Sequence, residues 1–128
     1  MRILLDTHAF LWLDADRSKL SKTAAETFQN PDHEIYLSIA SVWEIQIKAQ
    51  LKRLTLRLPL PELVRTQQAA NGLHVLALEL EHIYALENLP ALHGDPFDRV
   101  LLAQAQVEGL TMMSNDSAFA DYGAKLIW

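Results

Sequence analysis

The sequence predicts an α/β domain with a mainly parallel central sheet of four to five strands, covered by helices on both faces. Three observations carry that expectation. Short apolar runs typical of buried strands alternate with stretches of helical periodicity along the chain. Polar residues follow two of these runs abruptly, Asp6-Thr7 near the start and Ser114-Asn115-Asp116 near the end, as at the carboxyl tips of buried strands. Half of the 128 residues are hydrophobic, enough for one core and one domain spanning residues 1–128.

Residues 3–5 read as the first strand, and residues 9–13 as a short apolar helix. Residues 21–30 carry Ala24, Ala25 and Phe28 at helical spacing, with Ser18 or Ser21 as N-cap and Pro31 beyond the end. "EIYLS" (34–38) is β-rich and short, a second strand. From Ser41, "SVWEIQIKAQLKRL" places apolar residues at Val42, Ile45 and Ala49 and an ion-pair spacing between Glu44 and Lys48, so a helix is expected. "TLRLPLP" breaks regularity, and residues 62–71 form a further helix stopped by Gly72. "HVLALE" (74–79) is a third strand and residues 80–89 a short helix before Pro90. Asp95 opens a helix that Gly109 closes; "LTMMS" (110–114) and "KLIW" (125–128) complete the strands.

Composition narrows the function classes. With no cysteine there is no disulfide, thiolate zinc site or cysteine nucleophile, which fits a reducing cytoplasm. "MRILLDTHAFLWLD" is broken by Asp6 and His8 and makes a poor signal peptide, and no window approaches the roughly 18 apolar residues of a membrane span. A net charge of -5 and a pI of about 5.4 argue against grip on nucleic acid through the overall field. Acids clustered on a metal ion would reverse that argument locally, because the bound cation presents positive charge to a phosphate.

In parallel sheets ligands bind beyond the carboxyl ends of the strands. Asp6, Ser114, Asn115 and Asp116 fall at such ends, and Glu44 and Asp98 near helix starts on the same edge. Each acid also has an ordinary reading. Asp95-Pro96-Phe97-Asp98 suits an N-cap, a first-turn proline and a first-turn acid. Ser41 to Glu44 has capping-box spacing, and Asp116 suits a turn. Asp6 resists that treatment, since a carboxylate at the end of a buried strand needs hydrogen bonds, water or a cation. Four acids from four distant segments meeting at one edge is the arrangement hard divalent cations require.

Other signals are weaker. His8 and His93 lie beside acids and suit orientation of those acids or substrate contact, but no HxH or HExxH spacing exists for zinc. Trp12, Trp43, Phe97 and Phe119 read as core. Lys48, Lys52, Arg53 and Arg57 read as a solvated helix face or, alternatively, as an RNA track. GxSxG, Walker and GxGxxG patterns are missing.

Taken in order, "LLDTHAFLW", "LSIASVWEIQIK", "LHGDPFDRVLLAQAQVEGLTMMSND" and "YGAKLIW" resemble the PIN-domain ribonucleases, most closely VapC toxins of type II toxin-antitoxin pairs. The resemblance implies a catalytic and metal-binding set of Asp6, Glu44, Asp98 and Asp116 around Mg²⁺ or Mn²⁺, with Thr7, Ser114 and Asn115 in support. It makes Asp95 the cap and Asp98 the ligand. It further implies metal-assisted hydrolysis of RNA phosphodiester bonds, a small VapB-type antitoxin whose tail blocks the acids, and homodimers and toxin-antitoxin hetero-oligomers. A non-catalytic partner-binding PIN module is the alternative. A response-regulator receiver shares the size and the acidic pocket, but Asp6 has no adjacent acid, no Asp ends "HVLAL" and no Lys follows "LTMMS".

Overall fold

The computed structural model describes residues 1–91 and 94–128. Five strands form one all-parallel sheet in the order β3-β2-β1-β4-β5: β1 Arg2–Leu5, β2 Glu34–Ser38, β3 His74–Leu76, β4 Thr111–Met113 and β5 Leu126–Ile127. The central strand, β1, alternates strictly. Ile3 and Leu5 pack into one hydrophobic layer and Leu4 into the other, so "ILL" is apolar throughout because both sheet faces are covered.

On the first face lie α1 (Thr7–Ala15), α2 (Lys22–Gln29) and α4 (Leu60–Asn71), joined through Phe10, Leu13, Phe28 and Leu63 to Ile35 and Leu37 of β2. On the second, α6 (Pro96–Glu108) sets Leu101, Leu102 and Ala105 against Leu4 and Met112. α3 (Ile39–Gln50) follows β2 directly, and α5 (Leu80–Ala85) packs on α6. Among the described residues no helix is long and apolar enough to cross a membrane.

Caps explain where the helices start and stop. Ser21 accepts from the Ala24 N–H, Asp95 from the Phe97 N–H, and Gly72 and Gly109 close α4 and α6 in the left-handed conformation. Three local expectations fail. α3 is capped by Ser38, the last residue of β2, whose Oγ accepts from the Ala40 N–H at 3.0 Å, so Ser41 is an interior residue rather than a cap. The same helix stops at Gln50, because Lys52 has a φ of 57°, and Lys52, Arg53 and Arg57 leave the helical face expected for them. Trp43 is 59% exposed and meets Phe97 edge-on at 5.2 Å, and Trp12 and Phe97 are half-buried; of the four aromatics read as core, Phe119 alone is fully so.

The remaining differences are of length. α1 runs beyond residues 9–13, β3 ends at Leu76 and β5 holds two residues. A 3₁₀ turn over Leu86–Asn88 completes α5, and another over Ser117–Tyr122 follows β4.

One buried polar group ties the second layer. His82 of α5 accepts from the Glu79 N–H on Nδ1 at 2.9 Å, which leaves Nε2 to donate to Glu108 of α6, also at 2.9 Å. His82→Leu should therefore cost about 1–3 kcal/mol in urea unfolding with an unchanged denaturant slope, since it removes the partner of the Glu79 N–H and the link to Glu108 while keeping the volume.

Candidate functional site

The chain runs from β1 out to β2 and β3, then returns to place β4 on the other side of β1. The crevice at that reversal, beyond the carboxyl ends of β1 and β4, is where such sheets take ligands. Asp6 sits there. Its N–H donates to the Met113 carbonyl at 3.1 Å, extending the β1–β4 ladder by one bond. Its side chain caps α1, Oδ1 accepting from the Ala9 N–H at 2.6 Å, while Oδ2 accepts from the Ser114 hydroxyl. The residue is only 5% exposed. Burial raises the Asp6 carboxyl above its ordinary pKa; the Ser114 and Ala9 bonds and the charge of His8 pull it back, and Asp116 pushes it up slightly.

Glu44 comes from the second turn of α3 and is 4% exposed. Its Oε1 accepts from Thr7 Oγ1 at 2.7 Å, and its Oε2 receives Lys48 Nζ at 2.7 Å. Ser41, one turn before it, is fully buried with its hydroxyl 3.0 Å from that of Thr7. Ser41, Glu44 and Lys48 thus form one helical stripe facing α1, and the spacing is the reason all three reach the same place.

Asp98 occupies the first turn of α6, positioned by the Asp95 cap, which also accepts from the Asp98 N–H at 3.3 Å. Asp116 is exposed and caps the 3₁₀ turn after β4, accepting from the Ala118 N–H at 2.9 Å; its own N–H donates to Ser114 Oγ at 3.0 Å. Ser114 therefore touches both Asp6 and the backbone of Asp116. Asp6, Glu44, Asp95, Asp98 and Asp116 line one cleft of about 340 Å³, together with Thr7, Asn115, His8 and Lys48.

The carboxylate and hydroxyl oxygens that line this cleft suit a hard divalent cation and no sulfur lies among them, although the His8 imidazole and the Lys48 ammonium line it as well. A cation would also relieve the cost of holding Asp6 ionised away from water. Asp6, Glu44 and Asp116 are each held by a local donor, and among the described residues no three acidic or histidine groups stand, as placed, around one ion position.

All seven residues singled out from the sequence except Ser114 line the cleft, and Ser114 lies just behind it, bonded to Asp6. His8 is on the wall, whereas His93 lies outside the described residues. Sequence reasoning missed Ser41 as a buried partner of Thr7, although its spacing to Glu44 and Lys48 carried the signal. It also missed Asp14, whose buried carboxylate holds Arg57 at 2.7 Å and Gln67 at 3.2 Å and so fastens the 51–59 connection to α1 and α4.

Comparison with known proteins gives a consistent picture. Over 115 residues the chain is 28% identical to Ribonuclease VapC22 of Mycobacterium tuberculosis, covering 89% of this chain and 86% of that protein. Its fold is similar to a chain of VapBC2 from Rickettsia felis bound to a promoter DNA fragment, with a TM-score of 0.76 at 12% identity over 99% of this chain and 98% of that one. A chain of DNA-bound VapBC from Salmonella typhimurium gives a TM-score of 0.70 at 16% identity, over 99% and 97%. The PIN domain family model matches residues 3–125, which take in every acid of the cleft and the strands that carry them, and the chain belongs to that family.

Proposed function

We propose that this chain is an endoribonuclease of the VapC kind, dependent on Mg²⁺ or Mn²⁺ and neutralised by a VapB-type antitoxin. The observation that carries the reading is the arrival of Asp6, Glu44, Asp98 and Asp116 from four separate segments at one cleft on the sheet's switch edge. The ribonuclease name of the M. tuberculosis relative and the VapBC complexes among the structural neighbours support the activity and the partner.

In this reading Asp6 and Asp98 would hold the ion, and Glu44 or Asp116 would share a second. A bound divalent cation supplies Lewis acidity, polarising the phosphate and lowering the pKa of a coordinated water. Ser114 fixes one Asp6 oxygen and Thr7 one Glu44 oxygen, so the carboxylates are oriented by hydroxyls from other segments. Lys48 offsets the charge of Glu44, and the Asp95 cap sets the first turn of α6 that presents Asp98. The overall acidity of the chain is no obstacle, since a bound cation would reverse the sign of the field at the cleft. Homodimers and toxin-antitoxin hetero-oligomers, working in the cytoplasm, belong to the same reading.

Mutation separates ligands from supports. Asp6→Asn or Asp98→Asn should abolish Mn²⁺-dependent cleavage of RNA by the purified protein and growth inhibition on expression, whereas Ser114→Ala and Thr7→Val should lower cleavage by about 10–100-fold. Chelation should stop the wild-type protein and added Mn²⁺ restore it. A partner-binding module without catalysis predicts no metal-dependent cleavage at any stage, and full activity in Asp6→Asn would sink the assignment of the site.

The raised pKa of Asp6 gives a second prediction. A folded-state pKa above the unfolded value means the ionised carboxylate destabilises the metal-free fold, fully so above the folded pKa. That penalty shrinks as pH falls through the folded pKa and is gone below the ordinary value near ~3.9. Metal-free Asp6→Asn, which keeps a competent N-cap, should melt above wild type at neutral pH, and the gap should close on acidification. A wild type that melts higher at neutral pH without metal contradicts this.

A further inference from the structure

The cleft gathers the carboxylates of Asp6, Glu44, Asp95, Asp98 and Asp116, and Lys48 is the one lysine or arginine among the described residues that lines it. That ammonium is committed. Its Nζ lies 2.7 Å from Oε2 of Glu44, one turn back on α3, and the Glu44 side chain is 6% exposed against 37% for Lys48. The other Glu44 oxygen takes the Thr7 hydroxyl at 2.7 Å. Glu44 is therefore met by one positive charge and one neutral donor.

Asp6 is served differently. It is as buried as Glu44, yet the described donors to its side chain are the Ala9 N–H and the Ser114 hydroxyl, both neutral. Asp116 likewise takes a neutral donor, the Ala118 N–H. Of the two carboxylates held out of water at this edge, one already has an ammonium and the other does not.

The difference bears on where an ion can settle. A buried carboxylate needs its charge met by hydrogen bonds or a cation. An ammonium bonded to it at this distance is a strong, charge-assisted partner. Where water is scarce, a second cation on the same oxygen is repelled with little screening, so a divalent ion reaches Glu44 Oε2 only once Lys48 has left it. Pairs at this helical spacing are common on exposed surfaces. This one is set apart because its carboxylate is buried in the cleft and tied through Thr7 to the residue after Asp6.

We propose that Lys48 is a built-in cation of the cleft, which keeps Glu44 a hydrogen-bonding carboxylate and keeps divalent ions off it, so that an ion enters at Asp6 and Asp98 and any second one falls to Asp116. The proposal rests on the metal-nuclease reading above and goes further by giving Lys48 the choice between Glu44 and Asp116. Lys48 is in this sense a positioning residue, acting through Glu44.

The test counts the Mn²⁺ ions bound to the purified full chain, from the electron paramagnetic resonance signal of free Mn²⁺ during titration. Lys48→Met should bind one ion more than wild type, and Lys48→Arg, which restores the charge, should match wild type. Lys48→Met combined with Glu44→Gln should lose the added ion, because the carboxylate that received it is gone. Glu44→Gln alone should keep the wild-type count, weakened by no more than about 100-fold, as for a group that supports ligands without being one. Circular dichroism and thermal melting confirm that the variants are folded; if Lys48→Met is not, Glu44→Gln decides alone. An unchanged count in folded Lys48→Met overturns the proposal and leaves Lys48 an ordinary helix ion pair. An added ion that persists in the double variant overturns it too, as does loss of an ion in Glu44→Gln. Asp6→Asn separates this from the parent reading: it should abolish the ion that Asp6 holds, and a wild-type count there would fault the metal centre itself, whereas the other outcomes fault the role of Lys48 alone.

Discussion

A carboxylate held out of water at the end of the central strand is the constraint around which this molecule is arranged. β1 is buried on both faces, so the residue that ends it has little solvent to fall back on. Asp6 meets that demand by capping α1, accepting the Ser114 hydroxyl and bonding through its backbone to Met113. The first helix, the central ladder and the turn after β4 are therefore all fixed by one residue. Its carboxyl is still raised by burial, so the local bonds offset the cost only in part. A fold that carries such a residual cost at its switch edge has a site that a cation would stabilise.

The same device recurs beside it. Glu44 is nearly as buried and is held by Thr7, the residue after Asp6, so adjacent positions on one strand tip organise two carboxylates from different elements. Ser41 packs behind that pair, and Lys48 supplies the nearest positive charge. Asp98 and Asp116 differ: they sit at the starts of α6 and of a 3₁₀ turn and are less buried. The cleft thus combines two buried carboxylates with two more open to solvent.

The class of fold was legible because its main signals are local. Continuous apolar runs at β1 and β2, the Asp95-Pro96 start of α6 and the glycines that close α4 and α6 follow rules that act within a few residues. Errors arose where two rules competed. Ser41 was expected to open α3, yet Ser38 caps it, because β2 delivers the chain there in an extended conformation with Ser41 already facing Thr7. The end of α3 depended on a left-handed Lys52 that no periodicity announces. Trp43 read as core from its hydrophobicity, yet helix phase turns it outward beside Phe97. Of the cleft, the acids were visible in the residues themselves; the supporting hydroxyls of Thr7 and Ser114 came only through the family resemblance, and which acid each one serves was not legible, since those partners lie 37 and 108 positions away along the chain.

The central claim, that the gathered acids form a metal centre, is tested most directly by a crystal structure of the protein soaked in Mn²⁺ with anomalous scattering recorded at the manganese edge. The account predicts an anomalous peak in the cleft with oxygen ligands from Asp6 and Asp98, and Glu44 or Asp116 bound directly or through water. A cleft empty at saturating Mn²⁺, or manganese bound only at surface acids elsewhere, would contradict it.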